Sequence, residues 1–107
     1  RSPSRGLGDV YKRQLMRQSV RKCGIREVHS HVEIFDGDLS PPGFAAVVLI
    51  DESHVTAHCY SESGLLAIDV FTCGDHDPDC VAEQIHGRLV SENGEIILDR
   101  RQRIDRF

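Results

Sequence analysis

The chain is 107 residues long, the length of one small domain, with 39% hydrophobic and 28% charged residues and no Trp. Its longest apolar run, Phe44 to Ile50, falls far short of the ~20 residues that cross a bilayer as a helix, which excludes a helical membrane protein. The net charge of −4 is uneven: residues 1–14 carry +3, and from Glu27 to Glu95 fourteen acids face one base, Arg88, a balance that argues against nucleic acid and suits a small cationic substrate.

Residues 1–14 are polar and without period, and Asp9 to Gln14 resembles the translation of a transposase adaptor used in DNA sequencing. They are read as a foreign leader and residues 15–107 as the single domain, with the natural start expected to be longer. Leu15, Met16 and Val20 share one side of a helix end that Cys23-Gly24 stops. From Arg26 to Phe35 the chain alternates: Val28, Ser30, Val32 and Ile34 are expected inward, and His29 and His31 share the other face as a surface or dimer-contact pair. Asp36-Gly37-Asp38 turns, and Pro41-Pro42-Gly43 is a loop. Phe44 to Ile50 is a central strand, His54 to Tyr60 a third strand and Leu65 to Thr72 a fourth.

Asp77 is a helix N-cap with Pro78 at the first helical position. Val81, Ala82, Ile85 and Leu89 give that helix an apolar stripe. Asn93-Gly94 turns the chain, Glu95 to Leu98 is expected as a last strand, and the Arg-rich tail reads as a solvated end. Runs of strands with two flanking helices specify an α+β two-layer sandwich, mainly antiparallel, with both helices on one face. Four Cys at irregular spacing are too few for a disulfide scaffold, so free thiols in a reducing cytoplasm are expected. A chain this short often borrows walls from a second copy of itself.

Glu52-Ser53-His54 occupies the connection between the second and third strands. Taken singly, Ser53 is a turn residue, His58 a packed strand His, Cys73 a small buried Cys and Glu62 a turn Glu. As a set they carry a resemblance. The Glu-Ser-His at 52–54, His58, Glu62, Gly64 and the run Ala67 to Asp75, with Pro42-Gly43 and Val47-Val48 upstream, resemble the bacterial and archaeal class of S-adenosylmethionine decarboxylase proenzymes. The likeness covers about Gly24 to Leu98.

That resemblance implies self-cleavage between Glu52 and Ser53. It leaves a β chain up to 52 and an α chain 53–107 that begins with a pyruvoyl group made from Ser53. The group would form a Schiff base with the substrate amine and supply an electron sink that no ordinary side chain provides. Apart from Lys12 the chain has only Lys22, which argues against a pyridoxal phosphate enzyme. His58 would be the acid/base group of self-processing. Cys73 would protonate the substrate carbon, a role suited to a thiol, since one of ordinary pKa ~8.5 is mostly protonated near neutrality. Glu62 would accept hydrogen bonds from ribose hydroxyls. A homodimer of cleaved units follows from the same resemblance, as does a product that feeds spermidine synthesis.

The chain departs from the family pattern at several places. Cys59-Tyr60-Ser61 replaces Thr-Trp-Pro or Thr-Tyr-Pro. Leu39 stands where an aromatic that stacks on adenine is expected, and Ala45 where a Ser assists processing. The family's first strand is expected to be missing. Ser53 and His58 are five apart, so an unbroken strand would place them on opposite faces, and a bulge or the cut would have to reunite them.

Three other readings stand beside this one. Pyruvoyl-dependent ornithine or arginine decarboxylases keep the cleavage Ser and change the substrate wall. Cys73, His76 and Cys80 could offer three ligands to zinc, which needs a fourth. An acidic, non-enzymatic binding module fits the composition equally well.

Overall fold

The computed structural model describes residues 4–73, 76–92 and 96–104. The elements run α1 (Ser4–Lys22), β1 (Glu27–Phe35), β2 (Gly43–Ile50), β3 (Ser53–Tyr60), β4 (Leu65–Phe71) and α2 (Pro78–Glu92). The strands form one antiparallel sheet in the order β1-β2-β3-β4. This is the expected α+β two-layer sandwich. Each strand starts and ends within one residue of its sequence-based limits.

Period-two alternation decides which face is covered. Phe44, Ala46, Val48 and Ile50 of β2 are buried, with Val55 and Ala57 of β3. They pack against Leu15, Met16 and Val20 of α1 and Val81, Ile85 and Leu89 of α2. The alternate positions face away from this core; Leu49, His58 and Tyr60 are exposed and Ala45, Val47, His54 and Thr56 half-buried. No described element covers that second face.

The ends of the helices follow from local chemistry. Gly24 takes φ +74°, a conformation that costs glycine nothing. It lets the Ile25 N–H reach Val20 O at 3.2 Å and its own N–H reach Arg21 O at 2.9 Å, the paired bonds of a Schellman stop. Ile25 and Val20 are both buried beneath it. At the start of α2 the Asp77 carboxylate accepts the Asp79 N–H at 3.0 Å, as the N-cap reading requires. Gly43 opens β2 because a Cβ there would lie 1.8 Å from the Cys59 carbonyl oxygen.

Helix α1, whose end was expected at Leu15 to Lys22, runs back to Ser4, and Tyr11 packs against the core. Three expectations are corrected. Val28 and Ile34, expected inward, are 55% and 51% exposed. A register shift between Glu27 and His29 disturbs the alternation near Val28, and the helix layer leaves Ile34 open. Residues 96–98 are irregular rather than a strand; Glu95 and the Asn93-Gly94 turn lie outside the described residues. The segment after them is held instead by ion pairs from Arg101 to Asp79 and Glu83 and from Arg103 to Asp79. Finally, Cys23 and Cys80 form a disulfide, against the expectation of free thiols throughout. The two helix ends converge and bring their Cα atoms to 6.1 Å, within bridging range.

Candidate active site

Ile50 and Ser53 are paired residues at the ends of β2 and β3, so Asp51 and Glu52 alone make the turn between them. A two-residue hairpin turn forces unusual backbone angles, which glycine or asparagine usually takes. Here Glu52 takes them, at φ +54°, and it is the only non-glycine among the described residues with positive φ. Such a conformation costs an L-residue roughly 1–2 kcal/mol. The strained residue is therefore the one that donates its carbonyl to the bond before Ser53.

Ser53 itself is 8% exposed. Its Oγ accepts a hydrogen bond from the Cys73 N–H at 2.9 Å. Cys73 arrives there because β4 pairs with β3 as far as Phe71, opposite His54, and the chain then turns beside the start of β3. Thr72 Oγ1 donates to His76 O at 2.8 Å across the same turn. Glu52, Ser53 and Cys73, three of the sequence-derived site residues, thus meet at one end of the sheet.

The other three do not join them. Ser53 shares the helix-covered side of β3 with Val55 and Ala57, whereas His58 falls on the uncovered side, opposite Ala45 of β2. Pairing of β2 with β3 is continuous from Gly43 and Tyr60 to Ile50 and Ser53, so no bulge brings His58 round. At ~3.3 Å per residue His58 also lies ~17 Å along the strand from Ser53. Glu62 and Leu39 are farther still. They line one groove of about 580 Å³ with Asp38, Pro42 and Tyr60.

Several features of this region were not read from the sequence. One is the role of the Cys73 amide, as distinct from its thiol; no residue-type pattern signals a backbone donor. Another is the His54–Asp69 pair on the uncovered face, Nε2 to Oδ2 3.3 Å, with the His54 ring 5.3 Å from that of Phe71. The period-two spacing of β3 and β4 could have suggested it. Cys80 is bonded to Cys23, so in this state the Cys73, His76 and Cys80 set lacks one of its thiolates. His29 and His31 lie along β1 opposite Leu49 and Val47, and His31 Nε2 is 3.0 Å from Glu33 Oε1.

The family model for S-adenosylmethionine decarboxylase matches residues 8–102. The chain belongs to this family. The S-adenosylmethionine decarboxylase proenzyme of Bacillus velezensis is 41% identical over 73 residues, which are 68% of this chain and 53% of that protein. A proenzyme of the same name from Geobacillus sp. is 41% identical over 73 residues, 54% of its own length. One from Bacillus cereus (strain ATCC 10987) is 39% identical over 95 residues, 85% of this chain and 68% of that protein. The chain thus spans about half the length of the first two relatives.

Within the S-adenosylmethionine decarboxylase family pattern, the structure shows what the departures touch. Ala45 is the cross-strand neighbour of His58. Leu39 is fully exposed and half-exposed Tyr60 shares its groove. Both departures therefore lie among the residues remote from Ser53, and the hairpin turn itself keeps the Glu-Ser-His sequence.

Proposed function

We propose that this chain is the precursor of a pyruvoyl-dependent decarboxylase acting on S-adenosylmethionine. The observation that carries the reading is the turn at Glu52, where a strained residue precedes a buried serine whose Oγ is tied to the Cys73 amide. The Ser53 Oγ attacks the Glu52 carbonyl carbon, the C–N bond breaks, and an ester joins Glu52 to the Ser53 side chain. Loss of the Ser53 α-proton then expels the Glu52 carboxylate with that oxygen and cuts the chain. The dehydroalanine left behind takes up one water and releases one ammonia. The pyruvoyl group so formed supplies a carbonyl that bonds an amine and holds the electrons left by departing CO₂.

The residues present fit that group. Position 53 carries the required hydroxyl, the residue before it holds a strained backbone, and Ser53 itself is buried. Cys73 is the proposed proton donor to the substrate carbon, supported by the hydrogen bond that its backbone N–H donates to the Ser53 Oγ. The acidic middle of the chain suits a substrate bearing an amine and a sulfonium.

His58 and Glu62 cannot reach Ser53 in one chain, so the proposed partner is a second copy that lends its own. The uncovered sheet face supports this, since it carries Ala45, Val47 and Leu49 beside His58. Apolar side chains on an open sheet face call for cover. The test is CO₂ release from S-adenosylmethionine by the purified protein, with Ser53→Ala as the inert control. Release from ornithine or arginine instead would overturn the choice of substrate, and no release from any of the three would overturn the activity.

A further inference from the structure

We propose that the Cys23–Cys80 disulfide keeps the two products of self-cleavage covalently joined. The inference rests on the cleavage proposed above and extends it. Cys23 precedes the bond between Glu52 and Ser53, and Cys80 follows it, 57 residues on. Before the cut the disulfide closes a loop within one chain. After the cut the same bond links residues 1–52 to residues 53–107.

Both cysteines are held by backbone structure that does not depend on the bridge. Cys23 directly follows α1, its N–H bonded to Ser19 O at 3.3 Å and Val20 O at 3.2 Å. Cys80 sits in the first turn of α2, its N–H bonded to Asp77 O at 3.2 Å. Two fixed backbones with Cα atoms 6.1 Å apart need little movement to form a disulfide. The electrons go to a low-molecular-weight disulfide of the glutathione type. One protein thiolate attacks it and releases a small thiol, and the second attacks the mixed disulfide and releases another. Self-cleavage involves neither sulfur, so the two reactions proceed in either order.

The link matters because of what the cut divides. Strand β2 lies in the first product and β3 in the second, and between them run all the pairs from Gly43 and Tyr60 to Ile50 and Ser53. The products also share the core, α1 and β2 on one side and β3 and α2 on the other. A tether turns their reassociation into an intramolecular event at high effective concentration. It also anchors the first turn of α2, close in sequence to the turn that carries Cys73 to Ser53. Cys80 is exposed and Cys23 half-buried, so a small reductant can undo the link.

The test uses the full chain purified without reductant, its thiols blocked with N-ethylmaleimide before denaturation. One water enters and one ammonia leaves, so the joined products have nearly the mass of the uncut chain and only reduction separates them. One band on a non-reducing denaturing gel and two after dithiothreitol is the expected result. Cys23→Ser and Cys80→Ser should each give two bands without reductant. Blocking should label two of the four cysteines, Cys59 and Cys73, and all four after reduction. Two bands from the unreduced wild type, or four labelled cysteines before reduction, would overturn the proposal. A single band under both conditions would count against self-cleavage instead, and the labelling count would still decide the disulfide.

Discussion

The Ser53 hydroxyl and the Cys73 amide are joined by a 2.9 Å hydrogen bond across twenty residues of sequence. The bond fixes the serine side chain at the start of β3 and ties it to the segment that follows β4. Removing the acceptor leaves a part-buried N–H without a partner, at a cost of about 1–3 kcal/mol. Ser53→Ala is therefore expected to remain one chain on a reducing gel. Its Cys73 amide should exchange with solvent faster than that of freshly made wild type before cleavage, as read by pulse-labelled hydrogen exchange. Protection equal to the wild type would mean that this bond does not form.

Strain at Glu52 makes a separate prediction. If the left-handed backbone there is relaxed by the cut, glycine, which adopts it freely, removes that part of the drive. Glu52→Gly in a Ser53→Ala background should raise the urea midpoint by the equivalent of about 1 kcal/mol. With Ser53 restored, the same change should slow cleavage by up to about tenfold, since each ~1.4 kcal/mol of barrier is one decade. Faster cleavage in the glycine variant would show that the strain opposes the reaction.

The separation of Ser53 from His58 predicts complementation between copies. A Ser53→Ala chain keeps its His58 but has nothing to cut; a His58→Ala chain keeps Ser53 but lacks the acid/base group. Each alone should stay whole. Co-expressed, they should form mixed pairs in which only the His58→Ala chain is cleaved, read by giving the two chains different tags. Cleavage of the His58→Ala chain alone, at the wild-type rate, would remove His58 from the processing chemistry.

Ala45 bears on the same step. It is the direct cross-strand neighbour of His58, and side chains so paired have Cβ atoms roughly 4.5–5.5 Å apart. Ala45→Ser would put a hydroxyl within hydrogen-bonding reach of the imidazole, on a face that stays solvated or faces the partner copy. Cleavage is expected to quicken several-fold, with little change in thermal midpoint because the site is on the uncovered side. An unchanged half-time would mean that the hydroxyl does not act through His58.

Legibility in the sequence followed how local each cause was. The four strands could be read because alternation and turn residues act over a few positions, and the ends of the helices because Gly24 and Asp77-Pro78 act within one turn. The hairpin at Asp51-Glu52 was legible as a connection, but its strain was not, since the positive φ falls on Glu52, a residue type that does not advertise one. Helix α1 extends through Ser4 to Gln14 although Gly6 and Gly8 each weaken a helix by about 1 kcal/mol. Propagation from the buried turn at Leu15 and Met16, with Tyr11 against the core, accounts for it. The Cys23–Cys80 bridge is a meeting of two elements 57 residues apart, which no spacing rule encodes. The opposite faces of Ser53 and His58 were legible from period two alone, and the structure keeps them apart.

The end of the described chain predicts a dependence on pH. The Arg103 guanidinium, hydrogen-bonded to Asp79, and then Arg101, at 3.2 Å, together hold the Asp79 carboxyl below the usual carboxylate range, although partial desolvation works the other way. Arg101 also pairs with Glu83, and Asp77 stands 3.7 Å from Arg103. A carboxylate whose folded pKa is depressed contributes fully above its unfolded value, and the contribution is lost as the pH falls through the folded one. The segment 96–104 should therefore stay docked on α2 near neutrality and above. It should loosen only when the pH drops below the ordinary carboxylate range. Because these groups are exposed, added salt should weaken the docking at any pH. Amide exchange of residues 96–104 against pH reads the transition, and Asp79→Asn should undock the segment at neutral pH while leaving the Cys73 amide protected. Loosening on the alkaline side instead would assign the docking to other contacts.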